Sequence, residues 1–193
     1  MKIILVAAQL LFAAPSPAAE VHVSTTPSLA ASALLDWTPP RGWTASAYAN
    51  AGGADPVVAY DSGIDRIEIQ VFGAPKSFYR TPEDFLSGPG ATTMGRAPVK
   101  SGVARVAGGA AAVYRRDFPL PDGGDPHAFS AGPPRLGRET FCVLPPFPDG
   151  RFVVLSYARA SPAPDAAGRG EKAWNAFLAG VRRARKAKKL TPE

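Results

Sequence analysis

IDRIEIQVF (64–72) is the stretch on which the fold turns. Ile67, Ile69 and Val71 alternate with Glu68 and Gln70, and a period of two sends one set to a buried face and the other to a wet one. That is the pattern of a strand in an antiparallel sheet with one covered side. Upstream, VVAY (57–60) predicts a neighbouring strand, with Ser62-Gly63 as the turn between them, and Thr44 to Tyr48 predicts a third. Downstream, Val99 to Val106 and Ala110 to Phe118 flank Gly108-Gly109, which predicts a hairpin. ETFCVLP (139–145) and RFVVLSYA (151–158) predict a second hairpin around a loop containing Asp149-Gly150. Both of its arms are apolar at nearly every position, so they belong in the middle of a sheet covered on both faces.

Helices frame these strands. In SFYRTPEDFL, Thr81 is placed as an N-cap, Pro82 as the first helical residue and Asp84 as the capping acid. The spacing predicts a short helix from Pro82 to about Ser87, with Phe85 and Leu86 facing inward. In EKAWNAFLAGVRRARKAKK, Trp174, Phe177, Leu178 and Val181 fall at helical spacing and predict a docked helix as far as Val181. The fold class expected is therefore α+β, an antiparallel sheet packed between helices.

The chain's start reads as an address. MKIILVAAQLLFAAPSPAA (1–19) has a basic residue at Lys2, an apolar run from Ile3 to Ala14, and small residues before a cut after Ala18 or Ala19. A membrane-spanning helix needs roughly 20 apolar residues, so this run predicts a removed signal peptide and no transmembrane anchor. Residues 20–36 are small and polar apart from Leu34 and Leu35, and predict a flexible lead-in. A single domain is expected over 37–182, opening at DWTPPRGW, with a basic C-terminal tail over 183–193. Localisation is then periplasmic or secreted. Although 40 of the 193 residues are Pro or Gly, the composition stays on the folded side and predicts many turns.

The order of these elements resembles the PsbP-like superfamily, which includes the extrinsic photosystem II subunit and bacterial periplasmic relatives of the DcrB type. The resemblance is carried by PPRGW (39–43), IDRIEIQVFG (64–73), TPEDFL (81–86), VARVAGGAAAVYRR (103–116), FCVLP (141–145), RFVVLSY (151–157) and WNAFLAGVR (174–182). It implies an α/β/α sandwich. It implies no catalytic residues, because members of that group are mostly binding or accessory proteins.

Few residues here suit chemistry. Cys142 is the only cysteine, so no disulfide forms within the chain, and with His22 and His127 it falls short of the four ligands a structural zinc site needs. Cys142 and His127 are the one pair from which a thiol nucleophile and its base can be drawn, giving a thiol-dependent hydrolase as the alternative reading. Cys142 lies between Phe141 and Val143, however, where a cysteine behaves as a small hydrophobe. DGGDPH brings Asp122, Asp125 and His127 together in a long Pro/Gly/Asp excursion over 119–137. The spacing matches no calcium loop, so no metal is expected, but this is the most polar loop and the leading patch for partner contact. The glycines of GGAAA (108–112) and GRG (168–170) lack phosphate-cradling spacing, and no cofactor is expected.

Arg182, Arg183, Arg185, Lys186, Lys188 and Lys189 supply six charges within eight residues. The formal charge is +6, or +5 without Lys2, so the remainder sits near −1 and a basic surface is expected only in the tail. Six cations after a helix suit the negative end of its dipole, and attract an anionic envelope surface. No aromatic residue interleaves them, so nucleic acid is not an expected partner. Taken together, the sequence predicts a monomeric, non-enzymatic binding module of the cell envelope. A carrier of a small apolar ligand between sheet and helix is a further alternative.

Overall fold

Alternation of large apolar and polar residues through 44–72 folds this part of the chain into a three-strand meander. It is the first half of a seven-stranded, wholly antiparallel sheet. The structure, a computed structural model, describes residues 25–50, 53–92, 96–120, 136–161 and 168–184. The residues of the expected signal peptide lie outside these. In chain order the elements are α1 (Thr25–Ser32), β1 (Leu35–Asp36), β2 (Thr44–Asn50), β3 (Asp55–Ser62), β4 (Asp65–Phe72) and α2 (Pro82–Ser87). Then follow β5 (Val99–Val106), β6 (Gly109–Pro119), β7 (Leu136–Val143), β8 (Phe152–Arg159), α3 (Arg169–Gly180) and β9 (Arg182–Arg183). The sheet order is β2-β3-β4-β8-β7-β6-β5, so a second meander, β5 to β8, returns its last strand to the side of β4.

The two faces have different cores. On one, Ile67, Ile69 and Val71 of β4 and Val153 and Leu155 of β8 pack with Trp174, Phe177 and Leu178 of α3 and with Ala31, Leu34 and Leu35. Trp174 stacks on Tyr157 at 6.3 Å between ring centroids and on Phe177 at 6.0 Å. On the other, Phe72, Phe141, Phe152 and Val154 pack with Tyr79 and with Phe85 of α2. The capping of α2 follows the sequence: the Asp84 N–H donates to Thr81 Oγ1 at 3.1 Å, and the Thr81 N–H donates to Asp84 Oδ2 at 3.2 Å. The α3 stripe also lies where the spacing puts it, with Val181 fully buried just past the helix. As expected for central strands, β8 is buried from Phe152 to Tyr157. The hairpin turn is Ala107-Gly108, one residue earlier than read, and both residues have positive φ, 52° and 79°. That is the primed geometry a two-residue hairpin prefers.

One expectation is corrected. Residues 25–36 are not a flexible lead-in. They form α1, which packs on β3, and β1, with Ala31 and Leu35 at 0% exposure and Leu34 at 4%. The segment is weakly apolar on average, but the core needs only these three side chains to close over β3 and α3. The helix stops before the basic run, where the apolar stripe ends. The helix ends at Gly180, and Arg182 and Arg183 pair antiparallel with Asp36 and Leu35. The Ala184 N–H donates to the Leu34 carbonyl at 2.9 Å, and the Arg183 guanidinium lies 4.6 Å over the Phe147 ring. The two ends of the described chain are thereby tied to each other.

Leu35→Ala removes a fully buried side chain. Such truncations cost about 2–5 kcal/mol, and a domain this size loses roughly 2–4 °C in Tm per kcal/mol. Thermal unfolding should therefore fall by at least about 4 °C. A Tm within a degree of the parent would restore the lead-in reading.

Candidate functional site

On the α2 face, the row of polar residues along the sheet is charged and internally paired. Arg66 of β4 donates through Nε to Glu68 Oε1 at 2.6 Å and through Nη2 to the Tyr48 hydroxyl at 3.0 Å. Tyr48 in turn donates to Glu68 Oε1 at 3.0 Å, and Gln70 Nε2 donates to Glu68 Oε2 at 2.5 Å. Tyr48 on β2 reaches Glu68 on β4 across β3, where Ala59 stands opposite Glu68 and leaves room. On the other side of β8, Arg116 of β6 pairs with Glu139 of β7 at 2.5 Å, and its Nη1 donates to the Gly90 carbonyl. Ser156, buried on β8 between these two groups, hydrogen-bonds Glu139.

Glu139 is nearly inaccessible, and its carboxyl is held above the ordinary range. Burial is the main cause, helped by the nearby Glu68 charge and opposed by Arg116 and Ser156. The sequence gives Glu68 a wet face and no role to Glu139. A glutamate heading the apolar run TFCV, two strands from Glu68, was the available signal. Its partner Arg116 becomes visible only when β6 is known to lie beside β7. With each carboxylate tied to a guanidinium, this row fixes the sheet rather than exposing a reactive group.

The free charge sits elsewhere. At the β5–β6 end of the sheet a cleft of about 350 Å³ is lined by Arg96, Arg115 and Arg116, by Asp117 and Ser101, and by the apolar Ala97, Val99 and Leu136. Arg116 is committed to Glu139, and Asp117 pairs with Arg138 at 3.1 Å. Arg96 and Arg115 are exposed and have no ion pair among the described residues. Lys100 and Arg105 on β5 are exposed as well. A basic surface is thus not confined to the tail, as the near-neutral remainder suggests. The strand order gathers these cations at one edge while Asp61, Asp65 and Glu68 lie towards the other.

Of the residues singled out from the sequence, Arg182 and Arg183 lie on β9, with Arg183 over Phe147 past the Val143 end of β7, whereas the cleft is lined by Leu136 at that strand's start. Asp122, Asp125, His127, Arg185, Lys186, Lys188 and Lys189 lie outside the described residues. The two ends of the 119–137 excursion are nonetheless placed, since Pro119 and Leu136 face each other across β6 and β7 next to the cleft. Cys142 is fully buried in β7, and burial pushes its thiol up to about 12. Among the described residues no group of three His, Cys, Asp or Glu side chains could hold a metal ion, and no helix is long and apolar enough to cross a membrane. No protein-family model matches the chain, and no curated protein matches it either.

Two outcomes follow for these groups. Because the folded state raises the Glu139 carboxyl, the native protein binds more protons than the unfolded chain just above pH 4.5, and stability from this site falls as pH rises through that window. The Tm of the parent relative to Glu139→Gln should therefore be more favourable at pH 4 than at pH 7. A difference that grows with pH would mean Arg116 dominates the site and lowers the carboxyl. Cys142 should react with an aromatic disulfide reagent only as fast as the protein opens, and fast labelling of native protein would refute its burial.

Proposed function

We propose that the chain is an exported, non-enzymatic binding or accessory module of the bacterial cell envelope, periplasmic or secreted, monomeric and PsbP-like. The layering supports the family reading, with α1 and α3 on one face of the antiparallel sheet and α2 on the other. The observation that carries the functional reading is the arginine-lined cleft beside the point where β6 leaves for, and β7 returns from, the 119–137 excursion. The sheet edge there offers two guanidinium groups without an ion pair among the described residues, beside the ends of the most polar stretch of the chain. Arg182 and Arg183, with the basic residues after them, supply a second cationic patch facing an anionic surface.

The thiol-hydrolase alternative is weakened by its nucleophile. A thiol near 12 with no accessible surface is almost wholly protonated at neutral pH and out of reach of a substrate. The apolar-carrier alternative is weakened by the α3 interface, where Tyr157, Trp174 and Phe177 stack against one another and fill the space between helix and sheet.

Affinity capture from envelope extract tests the proposal. The parent should retain a defined component that an Arg96→Gln/Arg115→Gln variant of unchanged Tm does not. Repeating capture in 1 M salt, where the Debye length falls from about 8 Å to about 3 Å, separates a packed partner from charge attraction alone. Parent and variant retaining the same set of components would remove the cleft from the function.

A further inference from the structure

Resting on the reading of this edge as a binding surface, we infer that the cleft takes a small organic oxyanion, a carboxylate or phosphate monoester head on a short apolar body. The local charge balance comes first. Arg116 and Asp117 each have a partner, Glu139 and Arg138, so they cancel within the protein. Arg96 and Arg115 carry no ion pair, so among the described residues the cleft holds two uncompensated guanidinium groups. A planar fork of N–H donors matches the oxygens of a carboxylate or phosphate, and two arginines lining one cleft favour an anionic head.

The walls supply the second half of the recognition. Val99, opposite Arg115 in the β5–β6 register, is 68% exposed, and Leu136 and Ala97 complete an apolar side. An exposed valine between arginines on an edge strand contributes nothing to the core, and an apolar body laid along it would remove that surface from water. The size is restrictive. At about 30 Å³ for each water-sized group, a cleft of about 350 Å³ holds roughly a dozen non-hydrogen atoms, a six-carbon chain with its head. The β-bulge between Lys100 and Gly102 interrupts the β5 ladder at this place, which blunts the edge against strand addition and leaves the opening to side chains.

Isothermal titration of the purified protein with hexyl phosphate, hexanoate, methyl phosphate, inorganic phosphate and hexanol at fixed ionic strength tests this. Hexyl phosphate and hexanoate should bind and hexanol should not. Since each covered methylene strengthens binding roughly fourfold, hexyl phosphate should exceed methyl and inorganic phosphate by at least about tenfold. Arg96→Gln and Arg115→Gln should each weaken hexyl phosphate about five- to tenfold without changing Tm, and Arg115→Lys should recover part of the loss. Equal affinity for inorganic and hexyl phosphate would overturn the apolar wall. Unchanged binding by the double glutamine variant, or no binding to any of the anions, would overturn the site. If anions fail while capture from envelope extract still depends on Arg96 and Arg115, the small-anion site falls and the binding module stands.

Discussion

The pairing of β4 with β8 is the constraint on which the rest depends. Two meanders, one ending at Phe72 and one at Arg159, become a single sheet only because Asp65 to Phe72 pairs residue for residue with Phe152 to Arg159. At one end the junction is locked by Arg159, which donates to both Asp65 oxygens at 2.9 and 3.0 Å, and by the Tyr157 hydroxyl at 2.8 Å. Gly170, in the first turn of α3, lies against the same carboxylate, and a Cβ there would come 2.8 Å from Asp65 Cγ. The strand junction and the seating of α3 are therefore one feature. Both cores, and the tie between β1 and β9, are built on it.

The same junction explains why the polar surface is divided. Next to β4 and β8, carboxylates and guanidinium groups face each other within reach and neutralise one another, as Glu68 does with Arg66 and Glu139 with Arg116. At the far edge no described strand lies beyond β5, and Asp117, the carboxylate in the cleft, is paired with Arg138, so Arg96 and Arg115 have no ion pair among the described residues. An unpaired cation on a solvated edge costs little stability, because water screens it. It remains available for a ligand, whereas the central row is spent on holding strands in register.

Much of the fold was legible because its signals are local. Alternation in Ile67, Ile69 and Val71, the Thr81-Pro82-Asp84 cap and the Trp174–Val181 stripe each specify an element within about one or two turns of chain. What escaped depends on partners distant in sequence. Leu34 and Leu35 sit in a bland segment, and only the gap between β3 and α3 makes them core. Arg182 and Arg183 follow the α3 stripe with no apolar alternation of their own, and only the free edge of β1 makes them a strand. The cleft was hidden for the same reason: Arg96, Arg115 and Leu136 are neighbours only once β5, β6 and β7 lie side by side. A net charge near zero for the body of the chain conceals how strand order sorts its charges.

Native-state hydrogen exchange, read amide by amide, tests the central claim most directly. If the β4–β8 pairing unites the molecule, the amides of Ile67, Ile69, Val153 and Leu155 should exchange only through global unfolding and with one common free energy. The Ala184 amide, bonded to Leu34, should be protected well above the values of an open chain. Separate opening of the β2–β4 and β5–β8 halves, with β4 and β8 amides exchanging at different free energies, would contradict the account.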